Sequence, residues 1–125
     1  MREMKKGSLG LLTLHSLYER PSYGYELCER LRARTKGELS FEDAAIYPLL
    51  HTYEREGIVE GYWESGGEQR DGETAERRGP RRRYYRLTPR GVEALRTALQ
   101  EWRTFSRAVG RIIGDEVATG EEGAR

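Results

Sequence analysis

Apolar residues recur along the first half of the chain with a helical period, then switch to a period of two. Over residues 7–20, Leu11, Leu14, Leu17 and Tyr18 fall at i, i+3, i+6 and i+7, and Leu9 and Leu12 widen the stripe. That spacing predicts an amphipathic helix ended by Pro21. Ser22 is placed to cap a second helix that buries Tyr23, Leu27, Cys28 and Leu31 and closes at Thr35, Lys36 and a left-handed Gly37. A third helix is predicted over residues 40–57, with Ile46, Leu49, Leu50 and Tyr53 on its buried face and Tyr47, His51 and Arg55 left on the other side. Ser40 would cap the amide of Asp43, and Gly57 would stop the helix. Pro48 removes a donor and crowds the carbonyl four residues back, which predicts an irregular or 3₁₀ first turn with regular helix only from about Tyr47.

Residues 59–64 and 82–87 then alternate as two strands of a hairpin, joined by a long connection over residues 65–81 that is rich in glycine and charge. Thr88 followed by Pro89 is a strong helix start: a capping hydroxyl, then a proline whose missing amide has no intrahelical partner to lose. In that last helix Val92, Leu95, Leu99, Trp102, Ser106, Val109 and Ile113 are spaced alternately three and four apart, a heptad seam with one polar member. The predicted architecture is mainly α (α+β): three N-terminal helices, a two-stranded β-wing and a long C-terminal helix. The expected division is residues 5–88 for the first domain, 89–113 for the last helix and 114–125 for a disordered acidic tail.

Composition sharpens this picture. With 125 residues, 36% hydrophobic and 34% charged, the chain can build one modest core, and its low apolar share points to burial shared with a second chain. The net charge of +1 conceals an asymmetry. Residues 70–90 hold eight arginines against three carboxylates, a local excess of five positive charges on a remainder that carries a net −4. The single cysteine, Cys28, excludes an intrachain disulfide and a multi-cysteine metal site, and His15 and His51 stand apart from any such cluster. No apolar run suits a signal peptide or membrane span, so the expected location is cytoplasmic. Lone serines, two distant histidines and scattered carboxylates offer no nucleophile–base pair, and no glycine-rich loop precedes a helix in the way phosphate cradling requires. Neither catalysis nor a cofactor is expected.

Three helices followed by a hairpin tipped with arginine is the order of parts in a winged helix-turn-helix. One helix is sized for the major groove, and a cationic ribbon remains for the phosphates. Several segments carry a closer resemblance: Lys6-Gly7-Ser8-Leu9, Gly24-Tyr25-Glu26-Leu27, Tyr47-Pro48-Leu49-Leu50, Glu54-Arg55-Glu56-Gly57, and the run from Gly79 and Pro80 through Arg81, Arg82, Arg83, Tyr84, Tyr85, Arg86 and Leu87 to Thr88, with Gly91 beyond. In this order they resemble the PadR-like family of bacterial winged-helix transcription regulators, in its shorter subfamily, where a single C-terminal helix pairs two subunits. The family often has a Gly-Thr pair ahead of the third helix's Leu-Tyr-Pro, where this chain has Ala44-Ala45 before Ile46. An apparent insertion at residues 67–76 adds acidic residues to the wing.

The resemblance implies a homodimeric repressor of double-stranded DNA, binding a palindromic operator. Its candidate DNA contacts are Lys5, Lys6, Ser8, Ser40, Ala45, Tyr47, Pro48, His51, Arg81, Arg82 and Arg83. The arginines cannot all point the same way from one strand, so one or two of them should touch phosphate. The candidate dimer interface is Val92, Leu95, Leu99, Trp102, Ser106, Val109 and Ile113. In some relatives paired tryptophans at the resembling position sandwich flat aromatic drugs, which makes Trp102, with Phe105, a candidate site for a small aromatic effector. Each group also has an ordinary structural explanation: a solvated turn for the arginines, surface packing for Tyr47 and His51, a filled seam for Trp102. Two other functions stay open: a winged-helix module that binds protein instead of DNA, and a small-molecule carrier.

Overall fold

Leu9, Leu17, Leu27, Leu31, Ile46, Leu50, Val59 and Tyr85, with Cys28 and Phe41, bury one another in a single core cluster drawn from three helices and a small sheet. The computed structural model describes the backbone of residues 2–64 and 81–119, and the side chains of residues 7–64 and 81–114. Its elements run α1 (Arg2–Glu19), β1 (Ser22–Tyr23), α2 (Gly24–Arg34), α3 (Asp43–Arg55), β2 (Val59–Trp63), β3 (Arg83–Leu87) and α4 (Pro89–Thr119). The chain divides into two units, Met1–Leu95 and Arg96–Arg125. Among the described residues no helix is long and apolar enough to cross a membrane.

Helix α1 begins earlier than the apolar period predicts, and its buried side is rotated. Tyr18, expected in the stripe, is 61% exposed, whereas Thr13 and Ser16 are fully buried between Leu9, Leu14 and Leu17. The Arg30 guanidinium on α2 donates to the Ser16 carbonyl at 3.0 Å and so ties the two helices together there.

Both serine caps expected from the sequence are absent. Ser22 lies in β1 and pairs with Tyr85 of β3, its hydroxyl donating to the Arg20 carbonyl at 3.2 Å. The N-cap of α2 is Tyr23, with no side-chain capping bond. Likewise α3 starts at Asp43 behind Glu42, so Ser40 lies outside the helix. Phe41 and Ile46 share the buried cluster at the two positions of a hydrophobic staple, and this burial fixes the entry point more firmly than one hydroxyl would. The irregularity expected from Pro48 shrinks to a single 3₁₀-type bond, Ala45 amide to Glu42 carbonyl at 2.9 Å. Pro48 itself is inside regular α3, and the carbonyl it leaves without a donor belongs to the exposed Ala44, within reach of water.

The two helix ends follow one rule. At the end of α3 the Ile58 amide reaches the Tyr53 carbonyl at 2.8 Å and the Gly57 amide reaches Glu54 at 3.1 Å, with Gly57 at φ 76°. This is a Schellman motif, and it turns the chain directly into β2. At the end of α2 the same bonding pattern uses Lys36 (φ 53°), one residue before the expected Gly37 (φ 83°).

The hairpin is joined by β1, giving a three-stranded antiparallel sheet of order β1-β3-β2. The register pairs Val59 with Leu87, Gly61 with Tyr85, Tyr62 with Tyr84 and Trp63 with Arg83. On the outer face Tyr62 stacks on Tyr84 (centroids 5.9 Å apart) and Tyr23 meets Tyr84 edge-on at 5.3 Å, an aromatic row across all three strands. Of the expected wing connection at residues 65–81, all but Arg81 lies outside the described residues, as does the end of the acidic tail. Gly114, at φ 68° and ψ 173°, interrupts α4 before its last residues.

Candidate nucleic-acid interface

Strand alternation sorts the wing arginines before any contact is considered. Arg83 and Tyr85 project to the inner face of the sheet, and Arg82, Tyr84 and Arg86 to the outer. Arg83 is committed within the chain: it pairs with Glu54 of α3 at 2.7 Å, hydrogen-bonds the Tyr85 hydroxyl and lies 5.2 Å over the Trp63 ring. A Cβ on Gly61 would come within 2.8 Å of both the Arg83 and the Glu54 side chains, so glycine there leaves room for the pair. Burial pushes the Tyr85 hydroxyl above its ordinary pKa, Glu54 adds to that, and Arg83 opposes it. This cluster locks the wing to the end of α3.

Arg81 and Arg82 are exposed. The Arg81 guanidinium lies 5.6 Å from the Trp63 centroid, and that of Arg82 lies 4.9 Å from the Tyr23 centroid and 3.4 Å from a Glu64 carboxylate oxygen. Cation–π stacking restrains both groups, and Arg81 also donates to the Glu64 carbonyl at 3.4 Å. Together with Arg83, Tyr23, Tyr25, Tyr47 and Trp63 they line an open cleft of about 560 Å³ between the start of α2, α3 and the wing.

Tyr47 has a structural task beside any contact it makes. Its ring packs where a Cβ on Gly24 would lie 2.5 Å away, and its hydroxyl bonds the Tyr25 backbone in the first turn of α2. The phenol from α3 thus supplies the cap that Ser22 does not. Burial pushes the Tyr47 hydroxyl above its ordinary pKa, the nearby Asp43 carboxylate adds to this, and the Tyr25 backbone draws it partly back. Tyr47→Phe should therefore lower stability by about 1 kcal/mol, the usual size of a lost cap. Thermal unfolding followed by circular dichroism measures this, and an unchanged midpoint would remove the capping role.

Of the other candidates, Ala45, Pro48 and His51 are exposed together on α3, with His51 6.5 Å from Tyr47 between ring centroids. Ser40 is exposed ahead of the helix, and Ser8 is partly buried on α1. Lys5 and Lys6 lie within α1, their side chains outside the described residues. Sequence reasoning missed Tyr23, Tyr25 and Trp63 in the cleft, and Ala44 on the exposed side of α3. Trp63 could have been found from strand parity once the register with Arg83 was fixed.

On α4, Leu95 is 6% exposed and is the last residue of the first unit. The second unit keeps an apolar stripe open: Trp102 is 48% exposed, Phe105 62%, Ile112 87% and Ile113 52%.

A helix-turn-helix followed by a short sheet whose basic strand is braced on the third helix defines the winged-helix class. The model of the transcriptional regulator PadR-like family matches residues 13–97, and the chain belongs to that family. It is 30% identical to a PadR family transcriptional regulator from Eggerthella lenta, with a TM-score of 0.71 over 89% of this chain and 86% of that one. It is 29% identical to a PadR-like transcriptional regulator from Bacillus cereus, with a TM-score of 0.68 over 89% and 96% of the two chains. An uncharacterized protein of Lysinibacillus sphaericus is 28% identical over 97 residues, 78% of this chain and 80% of that protein.

Proposed function

We propose that this protein is a homodimeric transcriptional repressor that binds a palindromic operator in double-stranded DNA. The observation that carries the reading is the exposed side of α3 beside a cleft lined by three arginines. In this reading α3 enters the major groove, Arg81 and Arg82 hold phosphates, and Arg83 serves as the brace that aims them. The half-sites lie about one helical turn apart, roughly 34 Å, because two-fold symmetry in the protein demands it in the DNA. The second subunit docks along the C-terminal part of the α4 seam, where Trp102 and Ile113 are exposed and Leu99 and Val109 half-buried, since an exposed apolar helix face marks an interaction site. Trp102 and Phe105 are where a flat aromatic effector would enter to change the spacing of the two reading helices.

The test is the salt dependence of binding to a duplex selected from a randomised pool. Arg81→Ala and Arg82→Ala should each reduce the magnitude of the slope of log K against log salt by about 0.9, one phosphate contact apiece. Arg83→Ala should leave the slope within error and lower the unfolding midpoint. Failure to bind any duplex even at low salt would sink the reading and favour a protein partner for the same surface.

A further inference from the structure

Residues at positions 44, 48, 51 and 55 are spaced four, three and four apart. At about 100° per residue they fall within roughly 60° of arc on α3, with Ala45 about 60° further round. All five are exposed. The stripe is divided along its length by chemistry. Ala44, Ala45 and Pro48, at the N-terminal end, carry no hydrogen-bonding side-chain group, whereas His51 and Arg55, further along, do. The Arg55 guanidinium is further held by the Thr52 hydroxyl at 3.2 Å. A helix lying in the major groove presents its N-terminal residues to the base edges. The deepest part of this stripe therefore cannot form a hydrogen bond through its side chains: Asp43 lies about 80° beyond the stripe's other edge, and Tyr47, about 40° beyond it, has its hydroxyl engaged by the Tyr25 backbone.

On the floor of the major groove one base offers an apolar group, the C5 methyl of thymine, while the guanine edge and the cytosine amino group present only donors and acceptors. Pressing two alanine methyls and a proline ring onto a guanine or cytosine edge would strip its water and return no hydrogen bond. Pressing them onto thymine buries methyl against methyl. We infer that Ala44 and Ala45, with Pro48 beside them, make this protein a reader of thymine methyl groups at one or two positions in each half-site, with polar readout left to His51 and Arg55. This rests on the DNA-binding reading above, and it names what that surface selects.

The experiment removes the methyl group and nothing else. A duplex is first selected from a randomised pool with the full-length protein, and each enriched thymine is then replaced by deoxyuridine, which keeps every polar groove atom. Affinity should fall about fourfold for each methyl lost beneath the alanines, and about 15-fold when both half-sites are changed. The double variant Ala44→Gly, Ala45→Gly should bind the thymine and deoxyuridine duplexes equally. If that variant unfolds, the comparison on the wild-type protein decides alone. Enrichment of a duplex followed by indifference to every deoxyuridine overturns this inference and leaves the DNA reading standing. Failure to enrich any duplex overturns both.

Discussion

Replacing Trp102 and Val109 together with glutamate should give a monomer whose affinity for the palindromic operator is lower by about two to four orders of magnitude. Each side chain contributes about 2 kcal/mol when buried in an apolar seam, and a two-fold interface contains two copies of each, so about 8 kcal/mol of association is at stake before the cost of burying carboxylates is added. Separated subunits must then find two half-sites independently. The gain from tethering two reading heads, which is commonly a factor of 10² to 10⁴, disappears. The first unit should stay folded, because Leu95 is the last residue of α4 that it includes and both substitutions lie in the second. Sedimentation at micromolar concentration, read beside an anisotropy titration, checks both halves. A wild-type protein that sediments as a monomer, or a double variant that binds the palindrome undiminished, would show that the stripe on α4 has another purpose.

What the sequence revealed, and what it concealed, divides along the range of the interactions. Leu27, Cys28 and Leu31, or Ile46 and Leu50, are buried where a 3.6-residue period places them, because one helix face meets one core. Gly57 and the Thr88–Pro89 pair are equally legible, since their backbone chemistry is local. Ser22 and Ser40 misled for the opposite reason. A serine before a helical run is a good local cap, but two residues of pairing with Tyr84 and Tyr85 claim Ser22, and the Phe41–Ile46 burial moves the start of α3 past Ser40. No local rule could say that Tyr47, from another helix, would bond the first turn of α2. The candidate surface shows the same limit. Alternation already says that three consecutive arginines cannot share one face, yet which of them turns inward, and that Glu54 receives Arg83, only the third dimension supplies. Trp63 and Tyr23 were invisible as site residues because their part, restraining Arg81 and Arg82, depends on register across strands.

The junction between sheet and last helix carries the other large expected effect. Gly91→Ala should destabilise the protein by about 3 kcal/mol and lower its unfolding midpoint by about 15 °C. Helix propensity alone argues the other way, since alanine is favoured over glycine inside a helix by about 1 kcal/mol. The site decides against propensity. Thr88 caps α4 by accepting the Gly91 amide at 3.0 Å, while its own amide reaches the Ile58 carbonyl at 3.1 Å and its hydroxyl donates to Gly57 at 2.6 Å. The first turn of α4 is thereby drawn onto the turn between α3 and β2. A Cβ at residue 91 would lie 2.2 Å from the Ile58 carbonyl oxygen and 2.8 Å from the Leu87 side chain. Backbone cannot swing aside as a flexible side chain can, so the first turn must retreat and the Thr88 bonds stretch with it. Gly7, also helical but with nothing within 4 Å of its missing Cβ, is the matched control. Gly7→Ala should raise the midpoint or leave it unchanged. Parallel thermal melts of the two variants separate steric cost from propensity, and equal midpoints would mean that α4 can shift off the Ile58 turn at little cost.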